Sequence, residues 1–426
     1  MSFPEDFLHY VWKFRQFKQQ QLLTADGTSV EILSAGMHNK NAGPDFENAK
    51  VRLGDTVWVG NIEIHLNSSD WQRHGHHTDP AYDSVILHVV FNHDQEQYRK
   101  DNTAVPVLEL KDVIPEGLYL RYHDLTAGLN WIACQAAVGS VDRLYISNWL
   151  SRVLFERLEE RSRSVRELVQ EYRGNWDDAF YVILARNFGF KVNAVPFEML
   201  ARSLPVQLFG RHKDNALQIE ALIFGQAGLL DETFGEEYPN RLKSEYLFLK
   251  KKYNLQTGEG SVWRYLRLRP QNFPTLRLAQ FSALMVKADS LFSKILEARN
   301  VASLSELFYR LPVNDYWKNH YRFGVAVKPF SNQIGTNSVN NILINTIALF
   351  LFCYGKTMGR NSLVNRAVEL LEVLPPESNQ TLTRFKEAGI ETNNAFSSQA
   401  LLQLKRSYCD KKRCLECGIG IKVLNR

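Results

Sequence analysis

The sequence predicts an α+β protein, with an N-terminal mixed-sheet domain followed by a larger all-α region. Three observations carry this. Between Ser29 and Leu110 the apolar residues fall in short, β-branched runs punctuated by Gly, Asn, Asp and Pro, the pattern of strands and turns. After about Tyr119 those signals stop, and apolar residues recur at three- and four-residue spacing, the period of helices. At 426 residues the chain is also too long for one ordinary core.

The elements follow in order. A helix is expected over Phe3–Leu23, with Pro4 in its first turn and Phe7, Tyr10, Val11 and Phe14 on one face. Strands are expected at "SVEILS", "FENAKVRL", "TVWVGNIEIHL", "SVILHVVF" and "VPVLEL", with one short helix near Ser69–His74. Helices then follow one another from "RLYISNWLSRVLFERLEERSRSVRELVQEY" to "SLVNRAVELLEVL". The seam falls between Leu120 and Asp142, which gives an α+β domain over 1–125 and a helical region over 126–426. An apolar fraction of 45% and a charged fraction of 23% are those of a globular chain, and no basic-then-apolar leader opens it. The longest apolar stretch, "NILINTIALFLFCYG", holds two Asn and reads as a buried helix, so a cytoplasmic location is expected. A net charge of +5 permits an acidic partner such as nucleic acid without requiring one.

"FENAKVRL-GD-TVWVGNIEIH" reads as a β-hairpin turning at Gly54-Asp55. A two-residue loop would pair Leu53 with Thr56 and, by the period of two, send Asp45 and Glu63 to opposite faces. A three-residue loop with a bulge would pair Leu53 with Val57, placing Asp45 opposite His65 and Glu47 opposite Glu63. The second register is favoured because it gathers the polar groups at one end. Carboxylates that converge there repel one another unless a cation intervenes, and oxygen donors suit Mg²⁺ or Mn²⁺, which can activate water at a phosphate. A solvated sheet edge on which the charges never meet is the alternative.

"GPDF", a hairpin and "EIH" together resemble the PD-(D/E)xK phosphodiesterase superfamily of restriction and repair nucleases, as does the order helix, strand, hairpin, short helix, strand. The resemblance implies a restriction-endonuclease-like domain in which Pro44-Asp45 stands for the PD and Glu63-Ile64-His65 for the acidic-x-Lys element. It implies Asp45 and Glu63 as metal ligands and His65, in place of Lys, as the group that activates water. The implied activity is metal-dependent hydrolysis of DNA or RNA. The departure at His65 keeps a second class open, a non-catalytic binding or scaffold protein with a nuclease-like fold. Over nearly its whole length the chain also resembles an uncharacterised bacterial family with the phrases "GPDF", "SDWxxHxH", "VILHVV" and "RPxNFPxxRLAQ", which implies no activity.

Three further groups carry ligand-type chemistry. Asp70 and His74 are four apart, so on a helix they share a face and can support the hairpin carboxylates. His74, His76 and His77 could suggest zinc, but no thiolates lie near them, and a polar loop is the simpler reading. His88, in an apolar strand, reads as a core histidine. In "SVWRYLRLRPQNFPTLRLAQF", Arg264, Arg267, Arg269 and Arg277 alternate with aromatics, a pattern able to bind phosphates and stack on bases, or else to pair with acids of other helices. Cys409, Cys414 and Cys417 are spaced Cys-x4-Cys-x2-Cys, which suits zinc or an iron–sulfur cluster, with Cys134 as the best fourth ligand and His123 the second. Cys353 reads as core, and reduced thiols in a packed turn are the alternative for the C-terminal three.

Overall fold

A computed structural model describes residues 4–18, 21–39, 41–127, 130–288 and 290–425. The chain divides into two compact units, Met1–Val141 with Ser407–Arg426, and Asp142–Arg406. The C-terminal segment, expected with the helices, thus belongs with the sheet.

In the first unit, helix α1 (Glu5–Lys13) follows Pro4 and carries Glu5 and Asp6 in its first turn and Lys13 in its last, the charge order that a helix dipole favours. It buries Phe7, Leu8, Tyr10, Val11 and Trp12. It is shorter than expected because Arg15 turns left-handed at φ +50°; Phe3, Gln19 and Gln20 lie outside the described residues. The strands are β1 (Leu22–Leu23), β2 (Ser29–Ser34), β3 (Met37–His38), β4 (Phe46–Leu53), β5 (Thr56–Asn67), β6 (Val85–Asn92) and β7 (Val107–Glu109). They form one sheet in the order β1-β2-β4-β5-β6-β7, with β3 beside β4. The members β2, β4 and β5 run antiparallel, whereas β6 runs parallel to β5 and β7 to β6. The four-residue helix α2 (Asp70–Arg73) makes the crossover from β5 to β6. Alternation along β5 sends Ile62 and Ile64 into a core shared with Phe7, Val11, Leu87 and Val89. It leaves Glu63 and His65 for the opposite face, where a smaller cluster forms around Trp71, Val85 and Val105.

The hairpin uses the register that was not favoured. Leu53 pairs with Thr56 around a two-residue loop, and Gly54 takes φ +57° as its first residue. A bulge then interrupts β4 between Phe46 and Ala49, where Asn48 adopts φ +54° and its N–H donates to Asn61 Oδ1 at 3.2 Å. The extra residue restores the alternation. Phe46 pairs with Ile62, so Asp45 lies across from Glu63 and shares its face after all. Gly36, at φ +86°, lets the chain before β3 approach the bulge, since a Cβ there would sit 2.7 Å from Glu47 O.

The second unit is largely helical. Its first helix, α4 in chain order after α3 (Leu118–Ala127), runs Arg143–Glu171 and is capped by Asp142, whose carboxylate accepts the N–H groups of Leu144 and Tyr145. One short ribbon, His320–Arg322 against Val325–Ala326, departs from the all-helical expectation and closes over Gly324 at φ +73°. The helix Thr336–Thr357, with a π-helical turn at Leu343–Ile347, is long and apolar enough to cross a membrane, and 72% of its most apolar stretch is buried in the protein, as in a core helix.

Candidate metal centre

The polar face of the sheet collects residues from α1, the β4–β5 hairpin, the loop after α2, and β6. Asp45 and Glu63 are stitched across the strand ends: Ile64 N–H donates to Asp45 Oδ2 at 2.9 Å, and Asp45 N–H to Glu63 Oε2 at 3.2 Å. These side chains continue the pairing past the bulge, each accepting a backbone N–H from the other strand, Glu63 that of Asp45 and Asp45 that of Ile64. Glu47, expected opposite Glu63, is exposed and its backbone pairs with Met37 instead, because the bulge removes it from the alternation.

Glu63 Oε1 lies 3.4 Å from His65 Nε2 and 3.2 Å from His76 Nε2. His65 Nε2 also faces His74 Nδ1 at 3.1 Å, and His65 Nδ1 faces His88 Nε2 at 2.9 Å. The donor nitrogens of His65, His74 and His76 converge within 4.8 Å of one another, so these three could hold a metal ion. His65 is buried, His76 half-buried and His74 exposed, which leaves the group reachable from solvent. His76 stacks on Tyr82 with centroids 3.7 Å apart, and Trp71, fully buried, stands edge-on to His76 at 5.5 Å. The polar-loop reading of the histidines is thereby narrowed: His74 and His76 join a group that could hold a metal. The strand face and the end of α2 bring them to one point.

Burial shapes the charge. It raises the Glu63 carboxyl, and Asp45 adds to the effect while His76 opposes it. It pushes His65 down to about 2, with His88, His76 and His74 adding to the shift, and His88 down to about 3. From α1, His9 Nε2 lies 3.3 Å from Asp45 Oδ2; burial works against a charged ring there, but the Asp45 carboxylate outweighs it and the pKa rises. Glu5, one turn earlier, is raised by burial and then by Asp45.

Asp70 is buried and meets His74 through the backbone, its carbonyl accepting the His74 N–H at 2.9 Å. It accepts Asn67 N–H at 3.2 Å and pairs with Arg73 at 2.8 Å, holding the start of α2. Among the arginines, Arg264, Arg267 and Arg269 are exposed, but Arg277 is 4% exposed and bonded to Gln280, Asn272 and Ser338. It is a packing residue of the helical unit, removed from any phosphate by its own burial.

The four-cysteine centre does not form. Cys134, Cys409, Cys414 and Cys417 form no disulfide, and no three of them converge as the histidines do among the described residues. Cys414 is part of the apolar core, and Cys134 packs against it. Burial, with Cys417 and Cys414 adding, pushes the Cys134 thiol up to about 12, and burial raises Cys414 to about 11. The place of Cys414 in the apolar core accords with the reduced, packed turn that the sequence left as the alternative.

Sequence reasoning missed His9 on this face and placed His76 in a polar loop and His88 in the core. His9 had a signal: on α1 it follows Glu5 by four, off the apolar stripe. His76 was noticed but not given a role, and His88 reads as core until its neighbour across the parallel pair is known to be Glu63.

The chain belongs to the family described as protein of unknown function DUF2851, matched over residues 5–380. No curated protein and no solved structure matches it.

Proposed function

We propose that the sheet unit is a metal-dependent hydrolase of phosphodiester bonds in DNA or RNA. The observation that carries the reading is the meeting, on one sheet face, of Asp45 and Glu63 with the convergent imidazoles of His65, His74 and His76. The antiparallel β4–β5 hairpin followed by a parallel strand beyond a short helix accords with the resemblance to PD-(D/E)xK nucleases. A divalent ion bound there would offset charge on a phosphate and lower the pKa of a bound water. Mg²⁺ or Mn²⁺ was the expectation from the carboxylates.

The residues divide the work by position. His65 Nδ1 is engaged by His88 and its Nε2 faces His74 Nδ1, so His65 acts within the ion-holding group through Nε2. Glu63 Oε1 borders that group and takes the proton from water. Asp45 holds the Glu63 strand in place through Ile64 N–H and keeps His9 beside it. The exposed Arg264, Arg267 and Arg269 are proposed phosphate contacts of the helical unit.

A second reading has its own observation. Asp45 and Glu63 each accept a backbone N–H of the other strand, work that a purely structural pair would also do, and this favours a non-catalytic nucleic-acid scaffold. Cleavage assays on single- and double-stranded DNA and RNA, with Mn²⁺, Mg²⁺ or Zn²⁺ added in turn, separate the two. The hydrolase reading expects cleavage that EDTA abolishes and that Glu63→Gln and His74→Ala each reduce by about 100-fold or more. Absence of cleavage on every substrate with every metal leaves the scaffold.

A further inference from the structure

We infer that the His65–His74–His76 group selects a borderline transition ion, Zn²⁺ foremost, over Mg²⁺, and that His88 is the positioning residue which sets the His65 tautomer for it. The inference rests on the reading that this group holds a metal, but not on the reaction assigned to it.

The donor set decides the class of ion. Mg²⁺ takes oxygen ligands and parts with its waters reluctantly, whereas imidazole nitrogen suits Zn²⁺ and its neighbours. Here the converging atoms are nitrogens: Nε2 of His65, Nδ1 of His74 and the ring nitrogen of His76. The spacing agrees. Ligand atoms at the corners of a tetrahedron with zinc–nitrogen bonds of about 2.0–2.1 Å are roughly 3.3–3.4 Å apart. His74 Nδ1 lies 3.1 Å from His65 Nε2, close to that edge length.

Unsatisfied valence points the same way. A metal-free chain of N–H···N contacts can serve His74, His65 and His88 in succession. It leaves His76 Nε2 buried without a well-formed hydrogen bond, its charged neighbour being Glu63 Oε1 at 3.2 Å. An ion shared with His65 gives that nitrogen a partner. The ring is held ready for it by Tyr82 stacked on its face and Trp71 at its edge.

His88 is fully buried on β6, and its Nε2 is the 2.9 Å neighbour of His65 Nδ1. When His65 carries its proton on Nδ1 and donates it to His88, the Nε2 lone pair is left for the ion. This is the outer-shell function that a carbonyl or carboxylate performs for most metal-bound histidines.

The test uses the full chain, stripped of metal and then titrated by calorimetry with Zn²⁺ and separately with Mg²⁺, and Co²⁺ absorption as a second readout. Expected are one Zn²⁺ per chain, no Mg²⁺ binding that competes with it, and the intense visible Co²⁺ bands of a four-coordinate site. His74→Ala, at an exposed position, should remove the Zn²⁺ site. His88→Phe should weaken Zn²⁺ by about 10–100-fold with the stoichiometry kept, and His88→Gln, which retains an acceptor, should recover part of the loss. Circular dichroism of each variant checks the fold, and the His88→Gln rescue separates lost positioning from lost packing. Zn²⁺ binding unchanged in His74→Ala, or Mg²⁺ binding as tight as Zn²⁺, overturns the choice of ion. Unchanged affinity in folded His88→Phe overturns the positioning role. Zn²⁺ bound without cleavage of any nucleic acid defeats the hydrolase reading alone. Mg²⁺-driven cleavage by a chain that does not bind Zn²⁺ defeats this inference alone.

Discussion

In the sheet unit, His65, His74 and His76 reach one another from a strand and the crossover that follows it, whereas Cys409, Cys414 and Cys417, closer together in sequence, do not. The difference lies in the backbone beneath them. His65 stands on a regular strand whose period of two assigns its face, and α2 lies over that same face, so His74 and His76 come back above it. The cysteines occupy a chain that changes conformation at every ligand. Cys409 ends a π-helical turn, Cys414 opens a 3-10 turn and Cys417 precedes the last helix, Gly418–Leu424. That helix packs so tightly that a Cβ on Gly420 would lie 2.3 Å from Cys414 O, which fixes the turn with Cys414 in the core. Proximity in sequence is therefore weaker evidence for a metal site than a shared face on a rigid element.

The comparison breaks first at the bulge. If Asn48 is what carries Asp45 onto the Glu63 face, Asn48→Val, a β-branched residue at φ +54°, should destabilise the protein by about 1–2 kcal/mol, while Asn48→Gly should cost far less. Denaturant melts of the two variants check this, and equal stabilities would mean that the bulge tolerates any residue. Metal affinity should fall with Asn48→Val and persist with Asn48→Gly.

Acidity sharpens it. In metal-free protein, burial holds His65 at about 2 and His88 at about 3, whereas both take up a proton near the ordinary imidazole value of about 6.5 once unfolded. Between those values the unfolded chain binds more protons. The contribution is complete above about pH 6.5 and is lost as pH falls through that window, by roughly 1.4 kcal/mol per pH unit for each imidazole. Glu63, raised by burial, contributes with the opposite sign, so the measurement is cleanest in Glu63→Gln. Urea melts from about pH 7 down to about pH 5 should show the fall, shallower in His88→Phe. A flat profile would mean that the imidazoles are not held neutral by the fold.

The smallest effect is expected at the cysteines. Cys134→Ser and Cys414→Ser each bury a hydroxyl where a thiol packed, at a cost of about 1 kcal/mol. A chelator should leave the melting temperatures of the wild-type and serine chains equally far apart. A difference that vanishes on chelation would restore a metal to the C-terminal turn.

The sequence by itself determined the division between a sheet and a helical region, because periods of two and of three to four are local properties of the chain. It also marked Asp45, Glu63 and His65 as a group, although by way of the wrong pairing. The two-residue loop and the bulge are separate local choices whose effects cancel, and only the sum, which brings Asp45 across from Glu63, could be guessed from the placement of polar residues. What tertiary structure alone decided is long-range. The parallel pairing of β5 with β6 sets His88 beside Glu63 and turns a core histidine into the neighbour of His65. The docking of the last helix, where Tyr10 donates to Asn425 Oδ1 and Arg121 to Leu424 O, holds Cys414 in the apolar core. Parallel pairing and helix docking join residues far apart in sequence through contacts that no local pattern encodes, so the chemistry of this face emerges only once the strands are in register.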